Sequence, residues 1–399
     1  MKTFTATTPE GTVSYVDAKR WLWAGALLYP LFPFTGIGLH ALTGNEWWFL
    51  LPFVLSYGAV PLLDWLIGED QSNPPEAVVP QLEEDRYYRY LTWATVPIHF
   101  ATLIGCAWWA ATQDISALGV VALAVTAGLA SGLGINTGHE LGHKKSQIER
   151  MLARVVLAVP AYGHFAVEHN RGHHRYVATA DDPASSRMGE SIYRFALREI
   201  PGGVVRAWQS ERERLTRKGK SVWSTENEIL QSYAITAVLQ VSLLVVFGWV
   251  MVPFLLLHNF FAWWQLTSAN YVEHYGLKRE RLDNGRYERC QPYHSWNSNH
   301  VFSNLLLFHL ERHSDHHAHP TRRYQSLRNF AHLPSLPNGY YGMFGLAFFP
   351  SLFFRVMDRR LLSLKHIDGD LSKVNIDPAH EARIMARYGD RDEARAVAA

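Results

Sequence analysis

The sequence predicts an all-α integral membrane protein with six transmembrane helices and a histidine-rich helical cap on the cytoplasmic side of the membrane. Three observations support this fold class. The long apolar segments carry almost no charge. One set of the connections between these segments contains none of the 38 lysine and arginine residues. Many of the 20 histidines cluster near the ends of the segments. The mean hydropathy of −0.10 resembles that of a soluble protein because it averages the apolar segments with a large polar remainder.

Six apolar segments have the length that a helix needs to cross a membrane, which is ~20 residues for a ~30 Å hydrocarbon layer. Soluble proteins rarely contain core helices of this length without charge, so a soluble bundle is the weaker interpretation. The second segment carries one charge, Asp64, near its end. The predicted spans cover approximately residues 21–42, 47–66, 90–111, 115–135, 230–250 and 252–271.

The basic residues predict the orientation of the spans. The connections at 43–46, at 112–114 and near Met251 contain no lysine or arginine. The remaining connections contain all of these residues, and membrane proteins keep such basic segments in the cytoplasm. Both termini and the cap are therefore expected on the cytoplasmic side. The polar residues 1–18 lack the apolar core of a cleavable signal peptide.

The predicted cap consists of residues 139–228 and 272–343, and we expect residues 1–365 to form a single domain. Residues 340–357 are apolar and aromatic but include Pro350 and Arg355, which indicates an interfacial or re-entrant segment rather than a seventh span. The charged residues 366–399 are expected to form a peripheral cytoplasmic tail. A net charge of +2 gives no support for nucleic-acid binding.

Eight histidines form three clusters with helical spacing on the predicted cytoplasmic side. Residues four apart share one face of a helix, so two such histidines can bind the same metal ion. The clusters are His139 and His143; His169, His173 and His174; and His313, His316 and His317. We interpret the isolated His40, His366 and His380 as solvated residues. His99 and His258 lie inside predicted spans, and the sequence leaves open whether they are structural or line a substrate path.

The predicted site offers imidazole ligands and almost no thiolate. Two cysteines exclude a disulfide scaffold, a four-thiolate zinc site and an iron–sulfur cluster held by this chain alone. Imidazole suits iron, zinc, copper and nickel, and eight histidines are too many for one ion. We therefore expect two ions, with iron as the natural choice for oxygen chemistry. Nearby acids are expected to accept hydrogen bonds from the outer ring nitrogens, and the candidates are Glu140, Asp182, Glu273 and Asp315, followed by Glu168, Asp181 and Glu311.

The first cluster also matches HExxH, the motif of zinc metalloproteases, in which the glutamate activates a zinc-bound water. Here Glu140 would have that role. The motif lies at the predicted water edge, and a one-zinc protease leaves six clustered histidines unexplained. A membrane metalloprotease therefore remains the weaker alternative.

The three clusters resemble those of the integral-membrane di-iron superfamily of desaturases, hydroxylases and hydrocarbon monooxygenases. One further segment, Asn270-Tyr271-Val272-Glu273-His274-Tyr275-Gly276-Leu277-Lys278-Arg279, resembles the NYxEHYGLxR signature of the bacterial alkane 1-monooxygenases of the AlkB type. The resemblance extends from the first span to about Leu364. It implies a ninth ligand, His274, which spacing alone does not distinguish from His164, His294, His300 or His309.

The resemblance also implies a function. A member of this family would hold two non-haem irons and use O₂ to convert a medium-chain n-alkane into a 1-alcohol. Its electrons would come from rubredoxin, which a flavin-dependent reductase reduces, and its location would be the bacterial inner membrane. Arg279, Arg322 and Arg323 are candidate contacts for an acidic electron donor. A fatty acyl desaturase or hydroxylase of the same superfamily is the nearest alternative.

Overall fold

Helices make up most of the computed structural model, which describes residues 2–389. In chain order they are α1 (Leu22–Thr43), α2 (Glu46–Ile67), α3 (Val79–Glu84), α4 (Arg86–Thr112), α5 (Ala117–Gly142), α6 (Gln147–Ala158), α7 (165–176), α8 (Ile192–Arg217), α9 (Glu228–Phe247), α10 (Met251–His274), α11 (Val301–Leu306), α12 (His313–Ala318), α13 (Tyr340–Ala347), α14 (Pro350–Leu362) and α15 (Glu381–Tyr388). Strands β1 (Thr3–Thr8) and β2 (Gly11–Val16) form one antiparallel hairpin with Phe4 opposite Tyr15.

Five helices within the described residues are long and apolar enough to cross a membrane, namely α1, α2, α4, α5 and α9. They coincide with the first five predicted spans. The sixth predicted span corresponds to α10, which is 24 residues long. Helix α10 is less apolar because buried polar side chains, including His258, Asn259 and Asn270, lie along it. A sixth span and the cytoplasmic orientation of the cap therefore stay predictions.

The first two spans are not regular α-helices. In α1, two 3₁₀ turns at Leu22–Leu27 and Tyr29–Leu31 precede the α-helix Phe32–Thr43. In α2, the π turn Leu55–Ala59 separates two α-helical segments. Prolines at the second position of the successive segments lack a backbone N–H and explain these changes of helix type.

Helices α5 and α10 form the centre of the bundle, and most of α5 is buried. A side chain at Gly128 would overlap the backbone carbonyl of His258, so glycine allows the two helices to approach closely. Ser131 Oγ lies 2.8 Å from His258 Nε2, and His258 Nδ1 lies 3.0 Å from Asn259 Oδ1. His258 is thus hydrogen-bonded within the bundle, whereas the ring nitrogens of buried His99 have no hydrogen-bond partner among the described residues.

The C-terminal part of the described chain packs against the cap. Ile376 forms a backbone bridge with Met188, and Val374 forms one with Leu277. In α15, the hydroxyl of Tyr388 donates a hydrogen bond to Asp358. Residues 366–389 are therefore packed into the same core as the cap. The peripheral tail predicted from the charge pattern spans residues 366–399, and residues 390–399 lie outside the described part of the chain.

Residues 340–357, which we predict to be interfacial or re-entrant, fold as α13 and the first part of α14, with Pro350 at the start of α14. Tyr340, Phe344 and Phe353 are buried against α10 and its neighbours. Phe349, between the two helices, is 66% exposed. The segment therefore combines a buried face with an exposed apolar turn.

Candidate metal centre

The nine candidate histidines lie in two adjacent groups near the ends of α5 and α10. The five-histidine group consists of His139, His143, His169, His174 and His316, and the four-histidine group consists of His173, His274, His313 and His317. Within each group the candidate ligand atoms lie within 4.8 Å of one another. Each group is therefore compact enough to surround one metal ion.

The last turn of α5 places two rings in the five-histidine group. His139 and His143 are four residues apart, so they project from the same face of the helix end. His139 Nε2 lies 2.7 Å from His316 Nε2 on α12. The end of a predicted span and a helix almost 180 residues later thus meet at one point.

A π turn divides the histidines of α7 between the two groups. Residues His169–His173 form this turn, in which backbone hydrogen bonds connect residues five apart. His169 and His174, which are five apart, therefore share a group, and their Nε2 atoms are 3.1 Å apart. His173 belongs to the other group. In a regular α-helix, the four-residue spacing of His169 and His173 would place both rings on one face. The π turn changes this geometry, so the two rings lie in different groups.

Helix α12 is regular and distributes its rings differently. His313 and His317 are four residues apart and belong to the four-histidine group, with their Nε2 atoms 2.9 Å apart. His316 points to the five-histidine group. His274, the last residue of α10, completes the four-histidine group, and its ring centroid is 4.9 Å from that of His173. The position that only the family signature indicates is therefore beside the clustered histidines.

The unpaired ring nitrogens fit bound metal ions. His143 Nε2, His173 Nε2 and His274 Nε2 are buried and have no hydrogen-bond partner in the described chain. A buried polar atom without a partner costs about 1–3 kcal/mol. Coordination of an ion would remove this cost, and imidazole nitrogen is a ligand that iron accepts. The donor set therefore fits two ions with nitrogen-rich coordination.

Burial keeps most of these rings neutral, which is the form that binds metal. It lowers the pKa of His169, His313 and His317 well below the ordinary histidine value, and the neighbouring histidines lower it further. His173 differs from them. Burial opposes its charged form, but the carboxylate of Asp182 raises the pKa of His173 above its ordinary value.

Asp182 is the acid that most directly supports a candidate ligand. His173 Nδ1 lies 3.0 Å from Asp182 Oδ2, and Arg206 donates a hydrogen bond of 2.7 Å to Asp182 Oδ1. Burial alone would raise the pKa of Asp182, but His173 and Arg206 hold it well below its usual range. The carboxylate therefore fixes the ring orientation of His173 and leaves Nε2 available.

The other predicted acids have different partners. Glu273 Oε2 lies 3.4 Å from His313 Nε2. Glu140 Oε1 lies 2.9 Å from Lys144 Nζ, and Asp315 accepts hydrogen bonds from the backbone and side chain of Arg328. Glu168 pairs with Arg206, Glu311 accepts from the backbone of Tyr340, and Asp181 accepts from Tyr287. Of the four principal acids, the structure brings Asp182 and Glu273 to the histidine rings.

Two supporting groups have no signal in the sequence. Arg206 lies on α8, 24 residues after Asp182, and it bonds to both Asp182 and Glu168. The backbone carbonyl of His294 lies 3.3 Å from His274 Nδ1. Nothing in the sequence distinguishes Arg206 from the other basic residues. A backbone oxygen that contacts a ligand is likewise not marked by any residue type. Only the folded chain shows that they orient candidate ligands.

A mostly apolar cavity reaches both histidine groups from the interior of the bundle. Its volume is about 40 Å³. His139 and His169 of one group and His313 of the other form part of its wall. The apolar part of the wall comes from Leu129, Leu133, Phe165, Leu266, Ala269, Leu307, Leu310, Tyr341 and Phe344. An apolar molecule in this cavity would lie directly beside the candidate metal ligands.

A separate, polar groove reaches the five-histidine group from the surface. His143 forms part of its wall, and Lys145, Arg150 and Arg154 lie around it. The three arginines predicted to contact an electron donor are instead engaged within the molecule. Arg279 donates to backbone oxygens, and Arg322 and Arg323 pair with glutamates. Lys145 and Arg150, by contrast, are exposed beside a groove that a candidate ligand lines.

A bundle of membrane-span helices with two buried histidine groups defines a class of membrane metalloprotein. Residues 115–347 match the model of the fatty acid desaturase family. Over 94% of its length the chain is 58% identical to alkane 1-monooxygenase 1 of Alcanivorax borkumensis, covering 92% of that protein. It is 55% identical to an alkane 1-monooxygenase of Ectopseudomonas oleovorans over 94% of this chain and 93% of that one. It is 28% identical to the xylene/toluene monooxygenase hydroxylase component of Pseudomonas putida over 55% of this chain and 58% of that one.

The chain therefore belongs to the fatty acid desaturase family and, within it, to the alkane 1-monooxygenases, which are oxidoreductases.

Proposed function

We propose that this chain hydroxylates the terminal carbon of medium-chain n-alkanes, using O₂ and a di-iron centre held by the nine histidines. The apolar cavity that ends at both histidine groups is the observation that carries this proposal. The overall reaction combines the alkane, one O₂, two protons and two electrons to give a 1-alcohol and one water. When bound, the irons would supply the activation of O₂.

The side chains of the protein would position the alkane and exclude water. Leu133, Ala269 and Phe344 form apolar wall and offer no hydrogen bonds to water. An alkane that enters end-on would present its terminal methyl group to the histidines at the end of the cavity. Holding the terminal carbon in one place would increase the rate of hydroxylation, because the alkane has already lost its translational and rotational freedom on binding.

The electrons are proposed to come from rubredoxin, itself reduced by a flavin-dependent reductase. Two cysteines cannot provide the four thiolates of a rubredoxin iron site, so residues 1–399 do not themselves hold such a site. The groove around His143 supports this proposal, because Lys145, Arg150 and Arg154 would attract an acidic protein to a surface next to a candidate ligand.

The proposed location is the bacterial inner membrane, with the histidine groups and both termini facing the cytoplasm. The distribution of lysine and arginine supports this orientation. In that arrangement the alkane would come from the bilayer and the electrons from the cytoplasm. The two would reach the centre from opposite sides, through the apolar cavity and the polar groove.

Two alternatives make different predictions. A fatty acyl desaturase or hydroxylase shares the family and the histidine pattern but acts on an activated acyl chain. A zinc metalloprotease would need Glu140 as general base. The contacts of Glu140 with Lys144 and the Tyr324 backbone, together with five histidines around its helix end, argue against that role.

Product analysis tests the proposal directly. Membranes containing the protein are incubated with octane, NADH, rubredoxin, rubredoxin reductase and ¹⁸O₂. We expect 1-octanol carrying one ¹⁸O atom, together with iron rather than zinc in the purified protein. Unlabelled octanol, or a new double bond in an acyl substrate with no reaction of octane, would contradict the proposal.

A further inference from the structure

Helix α8 carries an exposed apolar stripe within the predicted aqueous cap. The exposed fractions are 50% for Tyr193, 80% for Leu197, 43% for Val204 and 54% for Val205. Pro201 is also exposed. With 3.6 residues per turn, these positions occupy about a third of the helix circumference. Contiguous exposed apolar surface of this kind marks a site that contacts another apolar phase or molecule.

The remainder of α8 is divided between a buried face and a basic face. Phe195, Glu199 and Ala207 are buried against the protein. Arg194 and Arg212 are exposed at the edge of the apolar stripe. Residues 192–220 contain eight lysines and arginines. Five of them pair with carboxylates, whereas Arg212, Arg217 and Lys218 are exposed on the surface. An apolar stripe beside a basic face is typical of a helix that lies in the surface of an anionic bilayer.

One end of the stripe continues onto the exposed surface of α10. The ring of Tyr193 packs against Trp264, with 5.9 Å between the ring centroids. Further along α10, Phe260 is 44% and Leu256 is 66% exposed. These side chains lie on the outside of a predicted span, where acyl chains would surround them. The apolar surface of α8 is therefore continuous with a surface that lipid is expected to cover.

The other end of the stripe meets α9 at an apolar groove. Its lining consists of Val204, Val205 and Trp208 of α8 and Ile229, Leu230 and Tyr233 of α9, with Gln209, Arg212 and His164 completing it. Beyond the groove, Val238 and Val245 of α9 are 70% and 78% exposed. The stripe therefore connects the outer surfaces of two membrane-length helices.

We infer that α8 lies in the plane of the bilayer leaflet on the side of the histidine groups, with its stripe among the acyl chains. A phospholipid chain occupies the groove between α8 and α9, and Arg212 lies at the level of the lipid phosphates. Long basic side chains reach the headgroups from such a position while their stems remain in apolar surroundings. This lipid-binding surface is distinct from the metal centre and does not depend on which reaction the centre performs.

The opposite face of α8 supports the centre. Glu199 accepts hydrogen bonds of 2.8 Å from Thr267 and 3.0 Å from Asn270 on α10. Arg206 bonds to Asp182, which orients His173. A helix held by the leaflet on one face thus supports the candidate ligands on the other.

Spin labelling tests the position of α8 in the full-length protein. Cys290 is changed to serine, and Cys106, which is fully buried, is left in place. Single cysteines then replace Leu197 and Val205 in the stripe and Glu213 on the exposed polar side of the same helix as a control. Each labelled protein is placed in nanodiscs of phosphatidylethanolamine and phosphatidylglycerol. Collision with O₂ and with a water-soluble nickel chelate is measured by electron paramagnetic resonance.

At Leu197→Cys and Val205→Cys we expect the ratio of O₂ to nickel accessibility to be several-fold higher than at Glu213→Cys. Equal ratios at the three positions would place the stripe in water and overturn the inference. Spin–spin broadening between labels at Leu197→Cys would instead show a second copy of the chain on this face, which would also overturn it. Circular dichroism identifies any variant that folds poorly. Because two stripe positions are labelled, the second variant still gives a result if the first does not fold.

Discussion

The contact between His173 and Asp182 shows how a buried carboxylate orients the ring of a candidate metal ligand. The carboxylate is buried, accepts from the ring at 3.0 Å and is itself held by Arg206. Such outer contacts set the tautomer and direction of a ligating imidazole. The ring nitrogen that faces the four-histidine group is consequently left with a lone pair for an ion.

Asp182→Asn is expected to weaken metal binding without unfolding the chain. The amide keeps the size of the side chain but loses the negative charge that favours the correct tautomer of His173. Loss of an outer partner of this kind typically lowers metal affinity about 10–100-fold. Iron content after dialysis against a weak chelator measures the effect. Asp181→Asn is a matched control, because the Asp181 side chain is exposed and accepts from Tyr287; an equal loss of iron in both variants would contradict the role of Asp182.

His274→Ala is expected to reduce the iron content from about two ions per chain to about one. The variant removes one of four rings from the four-histidine group and leaves the five-histidine group intact. Iron analysis together with Mössbauer spectroscopy would show the loss of one of two environments. His319→Ala is the control because His319 is half exposed and belongs to neither group. Retention of both ions in His274→Ala would remove this residue from the ligand set.

Much of the candidate site can be predicted from individual residues. The helical spacing of eight histidines indicates a metal site, and the family signature indicates His274 as the ninth candidate. The division into two groups cannot be predicted from spacing, because the π turn at His169–His173 changes which residues share a face. Arg206 is likewise unpredictable, since its role depends on a contact between separate elements.

At the scale of elements, the segment after α14 has more structural importance than its charge suggests. It forms backbone bridges with residues that flank His274 and the start of α8. Asn375 N donates to the carbonyl of Gly276 at 2.9 Å, two residues after His274. The segment therefore restricts the end of α10, where a candidate ligand lies.

A chain that ends at residue 365 is expected to lose thermal stability and iron. Truncation removes the backbone bridge between Val374 and Leu277 and the hydrogen bond from Asn375 to the carbonyl of Gly276. The melting temperature in detergent and the iron content are the measurements. A chain that ends at residue 389 serves as the control, because it retains every described contact. Equal stability and equal iron content of the two truncated chains would show that residues 366–389 do not support the fold.

Charged side chains attach the N-terminal region of the chain to the start of α4. Asp85 caps α4 and pairs with Arg20 at 2.6 Å and Lys2 at 2.9 Å. Burial alone would raise the pKa of Asp85, but the hydrogen bonds from these two cations lower it to about 2. A lowered pKa means that the ionised carboxyl stabilises the folded state.

Asp85→Asn is therefore expected to lower the melting temperature at pH 7. The stabilising effect of Asp85 is complete above the ordinary carboxyl pKa of ~4 and disappears as the pH falls through the folded-state pKa. The difference between the wild type and the variant should consequently narrow between pH 5 and pH 3. Thermal unfolding over this range measures it. Asp283→Asn, in an exposed turn, is the control, and a difference that widens toward low pH would contradict the assignment.

At the scale of the whole molecule, metal binding is expected to stabilise the fold. Nine imidazoles, most of them buried, converge from the C-terminal end of α5 and from α7, α10 and α12, so an ion bound there connects distant parts of the chain. A ligand that binds only the folded state raises its stability by mass action, by about 2.7 kcal/mol at a hundredfold excess over the dissociation constant.

Adding iron(II) to chelator-treated protein should therefore raise the melting temperature. The shift should be measured under anaerobic conditions so that the iron stays reduced. His139→Ala combined with His313→Ala removes one ring from each group and should greatly reduce the shift. Addition of magnesium(II), which prefers oxygen ligands, is the control. An equal response to both ions would indicate non-specific binding.

The global architecture is only partly predictable from the sequence. Uncharged segments of span length predict six spans, because lipid tolerates little charge, and five of the six coincide with described helices that are long and apolar enough to cross a membrane. The sixth segment corresponds to α10, which is less apolar because it buries polar residues such as His258 and Asn270 in the bundle. The packing of residues 366–389 is also hidden, since a few buried apolar residues such as Ile384 are dispersed among charges.

The division of adjacent residues between the two groups has a consequence for assembly. His173 and His174 are neighbours in the chain yet belong to different groups, and so do His316 and His317. The first ion to arrive would immobilise one ring of each pair and, through the shared backbone, hold the other ring close to its final position. The ordering entropy for the second ion would then already be lost, which makes occupation of the two groups cooperative. At limiting iron, molecules with one ion would therefore be less abundant than independent binding at the two groups would give.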